Sequence, residues 1–110
     1  MFVIKQTATY SWPVKFEVPG DAGKFETQTF DAVFKRMPQS QMDEMIAGSE
    51  GAKDSDIARQ ILVGWSGITD GETDVPFSES MRDKLLDVPG VGTAIVAAFL
   101  SSLQGAKRKN

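Results

Sequence analysis

The stretch DVPGVGTAIVAAFL, residues 87–100, holds the residue types best placed to bind a ligand through the backbone. Gly90, Gly92 and Thr93 stand where an apolar-Pro-Gly-apolar-Gly turn runs into an apolar helical pattern. Such a turn can aim N–H groups and a helix N-terminus at a phosphate. It can equally serve geometry alone, with glycine supplying positive φ and close helix approach. Covalent chemistry has less to work with. The chain contains no Cys and no His, which removes thiolate nucleophiles, disulfides, Cys-containing zinc sites and the usual general base near neutral pH. The carboxylates, Lys, Ser, Thr and Tyr that remain are not spaced for catalysis. PGDAGKFET has Gly20, Gly23 and Lys24 but lacks the spacing of a phosphate-wrapping loop, and reads as a hairpin turn. Asp70, Glu72 and Asp74 in TDGETD lack the Gly and the bidentate Glu of a calcium loop, since Met81 falls at the twelfth position. Asp43 with Glu44, and Asp54 with Asp56, sit beside helix caps, where negative charge suits the helix dipole. No catalytic residue, metal ligand or cofactor is expected, and the chain does not read as an enzyme.

The elements that position these residues follow from periodicity. In WPVKFEVP, Trp12, Val14, Phe16 and Val18 alternate with Pro13, Lys15 and Glu17, the pattern of a strand with one buried face. Pro13 cannot donate to a ladder, so this strand starts there or lies at a sheet edge. Residues 19–23 supply a turn. In KFETQTFDAVFKRM the apolar set changes parity, from Phe25, Thr27 and Thr29 to Phe30, Ala32 and Phe34, which predicts a bulge near Thr29. FVIKQTA is a candidate third strand. Helices follow. Ser40 is placed to cap one with Asp43 at the box position and Gly48 as its stop. Asp54 or Ser55 caps a second, carrying Ile57, Ile61, Leu62 and Trp65. Ser78 caps a third, with Phe77, Met81 and Leu85 on one face, and Thr93 opens a fourth with Ile95, Val96, Phe99 and Leu103 inward and Gly105 as its stop.

This amounts to an α+β fold: an N-terminal antiparallel β-hairpin or small sheet followed by about four short α-helices. A length of 110 residues suits one domain over residues 1–110, divided into a β region (1–37), a helical region (38–105) and a basic flexible tail (106–110). With 41% hydrophobic residues the chain can build a core. No apolar run is long enough to span a bilayer, and no secretory leader pattern opens the chain. A soluble, cytoplasmic protein is expected, with no membrane partner.

The residues Val88, Pro89, Gly90, Val91 and Gly92 resemble the helix-hairpin-helix motif, which would make Gly90, Gly92 and Thr93 a DNA-phosphate site. Such binders add Lys or Arg beside the turn, whereas here Thr93, Ala94 and Ile95 follow it and Lys84 is the nearest preceding cation. The net charge is −3, shared evenly along the chain, so the electrostatic contribution that drives DNA affinity is small. Lys107, Arg108 and Lys109 suit a helix end or a frayed tail better than a nucleic-acid patch. A packing turn is the favoured reading of the hairpin, and a small nucleic-acid-binding module is the alternative.

A second resemblance is wider. A Gly64-Trp65-x-Gly67-Ile68 helix end, an Asp70-Gly71 loop, and Pro76-Phe77-Ser78 opening a segment that ends in Leu85-Leu86 stand in that order. Upstream come Trp12-Pro13-Val14 entering a strand, the turn at 19–23, and an aromatic segment up to Phe34 followed by Lys35 and Arg36. The chain resembles the tail assembly chaperones of long-tailed phages. That resemblance implies an assembly factor without chemistry, which binds the mostly helical tape-measure protein and helps recruit tail-tube protein in the host cytoplasm. It also implies absence from the finished particle, and a longer frameshifted form is common in the family. Self-association is open. Trp65, Ile68 and Phe77 either close the core beneath the Gly-rich loop or form a patch for a helical client. Core filling is favoured for Trp65, which continues the face of Ile57, Ile61 and Leu62, and for Phe77. Met42 and Met45 are the better surface candidates, because flexible thioethers suit adaptable binding, although core filling is favoured for them as well.

Overall fold

The computed structural model describes residues 1–48 and 53–104. Gly105 and the basic tail at 106–110, expected to stop the last helix and to fray, lie outside the described residues, as do residues 49–52.

Strands β1 (Thr9–Pro19) and β2 (Phe25–Lys35) form an antiparallel hairpin in unbroken register from Thr9 opposite Lys35 to Pro19 opposite Phe25. The alternation of Trp12, Val14, Phe16 and Val18 holds, and Val14 is fully buried. Pro13 sits mid-strand because β1 is the sheet edge, where a missing N–H faces no partner. The expected bulge at Thr29 is absent. A plain period of two sends Phe30, Ala32 and Phe34 into the core and leaves Phe25, Thr27 and Thr29 on the exposed face, with Phe25 66% exposed. The ladder's one irregularity lies further on, between Val33 and Phe34, where β2 meets β3.

That third strand is not FVIKQTA, which forms no strand. Helix α1 (Gln39–Ala47) and helix α2 (Asp54–Ile61) come next, and α2 runs straight into β3 (Leu62–Ser66), giving the antiparallel order β1-β2-β3. The helical face expected to reach Trp65 therefore ends at Ile61. Leu62, Val63 and Trp65 satisfy a strand pattern as well as a helical one, and Gly64 weakens a helix. Pairing of Leu62 with Phe34 and of Trp65 with Ala32 decides the matter.

Two helix starts also shift. The α1 cap is Pro38, with Ser40 inside the first turn. Lys53 precedes α2, so Asp54 and Asp56 occupy its first turn, where the dipole favours them. Helix α3 (Glu79–Leu86) is capped as expected: the Ser78 hydroxyl accepts the Met81 N–H at 3.1 Å. Helix α4 (Val91–Ser102) begins at Val91 behind Gly90, two residues before Thr93. Leu103 falls beyond its end and is 46% exposed, not inward.

The core forms where α2 and α4 cover one sheet face. Val14, Phe30, Ala32 and Phe34 from the sheet meet Ala58, Ile61, Leu62, Val91, Ile95 and Phe99, with Leu86 from α3. The Phe34 ring stands edge-on to Tyr10 and Phe99, with centroids 5.9 and 5.3 Å away. Burying a ring of that size contributes about 1.5–3 kcal/mol. The α+β class is as expected. Among the described residues, no single helix is long and apolar enough to cross a membrane.

Candidate functional site

The loop between β3 and α3 closes on itself through its own polar groups. Gly67 and Gly71 take φ of 85° and 104°, which a side chain would strain. The Asp70 carboxylate accepts the Glu72 and Thr73 N–H groups at 2.9 and 3.0 Å. Those amides, Thr73 first, hold its pKa below the usual carboxylate value. Thr69 and Asp74 pair across the loop, and the Val75 N–H donates to the Ile68 carbonyl at 2.8 Å. The acidic loop thus spends Asp70 on backbone amides.

Trp65 fastens this loop to the sheet. Its indole N–H donates to the Val75 carbonyl at 2.8 Å, and its ring meets Phe77 edge-on at 4.9 Å. Trp65, Ile68 and Phe77 come together and are all half-buried. Gly64 belongs to the same fitting, since a Cβ there would approach the Val33 Cβ to 3.2 Å. The Gly-Trp-x-Gly-Ile pattern is thereby explained as a local clamp.

Ile68 and Leu85 stand between two adjoining clefts. One continues past Trp65, Val75, Met81 and Lys84. The larger, about 490 Å³, opens toward the end of the hairpin, between Phe16, Val18 and Phe30 on the sheet and Val88 and Val91 beside the α3–α4 turn. Among the described residues no ionisable side chain lines it; its polar rim is Gln28, Thr29 and Thr69. Such a cleft can exclude water from an apolar side chain. Leu85 is set by α3, which Asp83 ties to α2: Arg59 Nε lies 3.0 Å from Asp83 Oδ1, and Arg82 Nε lies 3.3 Å from it. The Arg59 hydrogen bond, then Arg82, lowers the Asp83 pKa.

Met42 and Met45 occupy a different place. With Ile57, Val96, Phe99 and Leu100 they line a groove of about 220 Å³ between α1, α2 and α4, apart from the Trp65 clefts. Both are half-buried.

At the hairpin, α3 and α4 meet at 104°. Gly90 has φ of 87° and open space around a would-be Cβ, so it is a conformational glycine. Gly92 is a contact glycine: a Cβ would lie 3.1 Å from the Ser55 backbone N and 3.2 Å from its Cα. The Val91 N–H already donates to the Val88 carbonyl at 3.2 Å. Thr93 is exposed, and the hollow beside it is bordered by Asp54, Asp87 and Lys53. Gly90, Gly92 and Thr93 thus share one turn, but Gly92 faces α2, and two carboxylates outnumber one ammonium where a phosphate would sit.

Sequence reasoning does not bring Phe16, Val18, Leu85, Val88 and Val91 together as a lining. The alternation of Phe16 and Val18 is visible in the chain, but not that the hairpin outruns the helices that cover it.

A family model described as phage tail assembly chaperone matches residues 1–110. Comparison with the curated proteins and with the solved structures returns no match.

Proposed function

Because the chain belongs to the phage tail assembly chaperone family, we propose that it binds the phage tape-measure protein and assists tail-tube assembly without covalent chemistry. The observation that supports this reading is the apolar cleft of about 490 Å³ between the hairpin and the α3–α4 turn. A long helical client kept soluble before assembly needs its apolar stripe covered, and side chains at i, i+3 and i+4 can seat in such a groove. Phe16, Phe30, Ile68, Leu85 and Val88 supply the apolar wall. Among the described residues that wall carries no ionised group, so apolar side chains can enter it without leaving a charge unpaired. Binding of this kind needs no cofactor. We further propose that the chain acts in the host cytoplasm and leaves before the tail is complete.

Co-expression with the tape-measure protein tests this. The chain is expected to raise the client's soluble fraction. Val88→Asp, at a rim position 43% exposed, is expected to lose that effect while remaining folded, whereas Leu103→Asp, away from the cleft, keeps it. No gain from the unaltered chain refutes the client assignment. A gain undiminished by Val88→Asp refutes the cleft as the docking surface.

A further inference from the structure

The first four residues, Met-Phe-Val-Ile, are apolar and exposed, at 119%, 78%, 62% and 89%. Among the described residues, none of Met1, Phe2, Val3, Ile4 and Lys5 hydrogen-bonds to the rest of the chain. A run of this kind on a surface marks a segment that becomes covered. Its alternation places Phe2 and Ile4 on one side and Met1 and Val3 on the other, suiting a strand with an apolar side chain on each face of a sheet.

The sheet has two outer edges. That of β1 is blunted by Pro13 in mid-strand, with Lys15 and Glu17 beyond it, the usual protections of an exposed edge. That of β3 carries none: its five residues, LVGWS, include no charge and no proline, and among the described residues no strand pairs beyond it. Val63 on this strand is 41% exposed.

The segment cannot cover its own β3. Arg36 holds its base on the β1 side of the sheet, donating from Nε to the Thr7 carbonyl at 2.9 Å and from Nη1 to Gln6 Oε1 at 3.0 Å. Reaching the far edge from there means crossing three strand spacings, about 14 Å, out of the roughly 17 Å that five extended residues can span. Almost nothing remains to lie along β3. We infer that residues 1–5 of one copy add as a strand to the free β3 edge of a second copy, matching it in length and in lack of acidic charge. Because donor and acceptor are different surfaces, the contact closes into a reciprocal pair or ring, or continues as a chain.

Sedimentation velocity over a concentration series tests the inference. The full chain is expected to form species of twice the monomer mass or more. A chain lacking residues 1–5 and a Val63→Pro chain should each remain monomeric, yet associate when mixed, since one keeps the edge and the other the segment. If Val63→Pro fails to fold by circular dichroism, Val63→Lys replaces it. A photo-crosslinker replacing Phe2 should mark residues 62–66 of an isotopically distinct copy. Overturning results are a full chain monomeric at every concentration, association that survives loss of residues 1–5, a monomeric mixture, or crosslinks confined to the same chain or to the Met42–Met45 groove.

Discussion

Replacing Gly92 tests whether the hairpin is built for packing. The added Cβ of Gly92→Ala would sit 3.1 Å from the Ser55 N and 3.2 Å from its Cα, whereas ordinary contact begins at 3.4 Å. The helices must therefore separate by about 0.3 Å in an interior as dense as a crystal. The obstructing atoms are backbone in the first turn of α2, so no side chain can swing away. Moving α2 disturbs Ala58 and Ile61, both fully buried. Overpacking of this kind costs about 1–3 kcal/mol. Replacing a helical glycine by alanine returns up to about 1 kcal/mol through propensity. The expected net loss for Gly92→Ala is therefore about 1 kcal/mol. Gly92→Val gains little propensity and adds two methyl groups toward Ser55, so its loss should be about 3 kcal/mol or more, a large part of a typical total stability. Gly90→Ala should cost about 1–2 kcal/mol for a different reason, the backbone strain at φ of 87°. The two mechanisms separate with asparagine, which tolerates left-handed backbone. Gly90→Asn should recover part of the loss, and Gly92→Asn none. Urea titrations read by circular dichroism give the midpoints, with an unchanged slope indicating that stability alone has moved. Gly92→Val with the midpoint of the unaltered chain would refute the close approach of α4 to α2.

Two further outcomes follow from the loop clamp. Trp65→Phe removes the indole hydrogen bond to Val75 and part of the contact with Phe77, and should cost about 1–2 kcal/mol. Amide hydrogen exchange at Thr73 and Val75 should quicken, and unchanged exchange there would show that the loop closes without the indole. The pH dependence has a definite sign. Asp70 and Asp83 both titrate below the ordinary aspartate value of 3.8 when folded. Their contribution is therefore complete above 3.8 and is lost as pH falls below it through the folded values, where the unfolded chain binds more protons. Asp70→Asn should lower the urea midpoint at neutral pH and flatten its fall on acidification. An acid limb of unchanged steepness would place the responsible groups elsewhere.

The parts of the fold legible in the sequence are those in which one local signal acts without a rival. Alternation through Trp12, Val14 and Phe16 has a single solution, and Ser78 has an unambiguous amide to cap. The run from Ile57 to Trp65 has two. Its apolar spacing fits a helix face, and only the presence of β2 alongside, accepting Leu62 opposite Phe34, turns the second half into a strand. FVIKQTA carries as strong a strand signal as β3 and yet forms no strand, because β2 ends at Lys35 opposite Thr9 and the residues before Thr9 run past the end of the ladder. The same distinction governs the site. The Gly-Trp-x-Gly-Ile, Asp-Gly and Pro-Phe-Ser patterns are legible because each does something fixed and local. Gly64 admits Val33, Trp65 holds Val75, Asp70 takes two amides and Ser78 caps α3. The wall of the cleft has no such signature. Phe16, Val18, Leu85 and Val88 come from separate elements and share only apolarity, so many side chains of similar size would build an equivalent groove. A groove of that kind leaves its trace in the placement of elements, and the residues legible in the sequence are those that hold it in position.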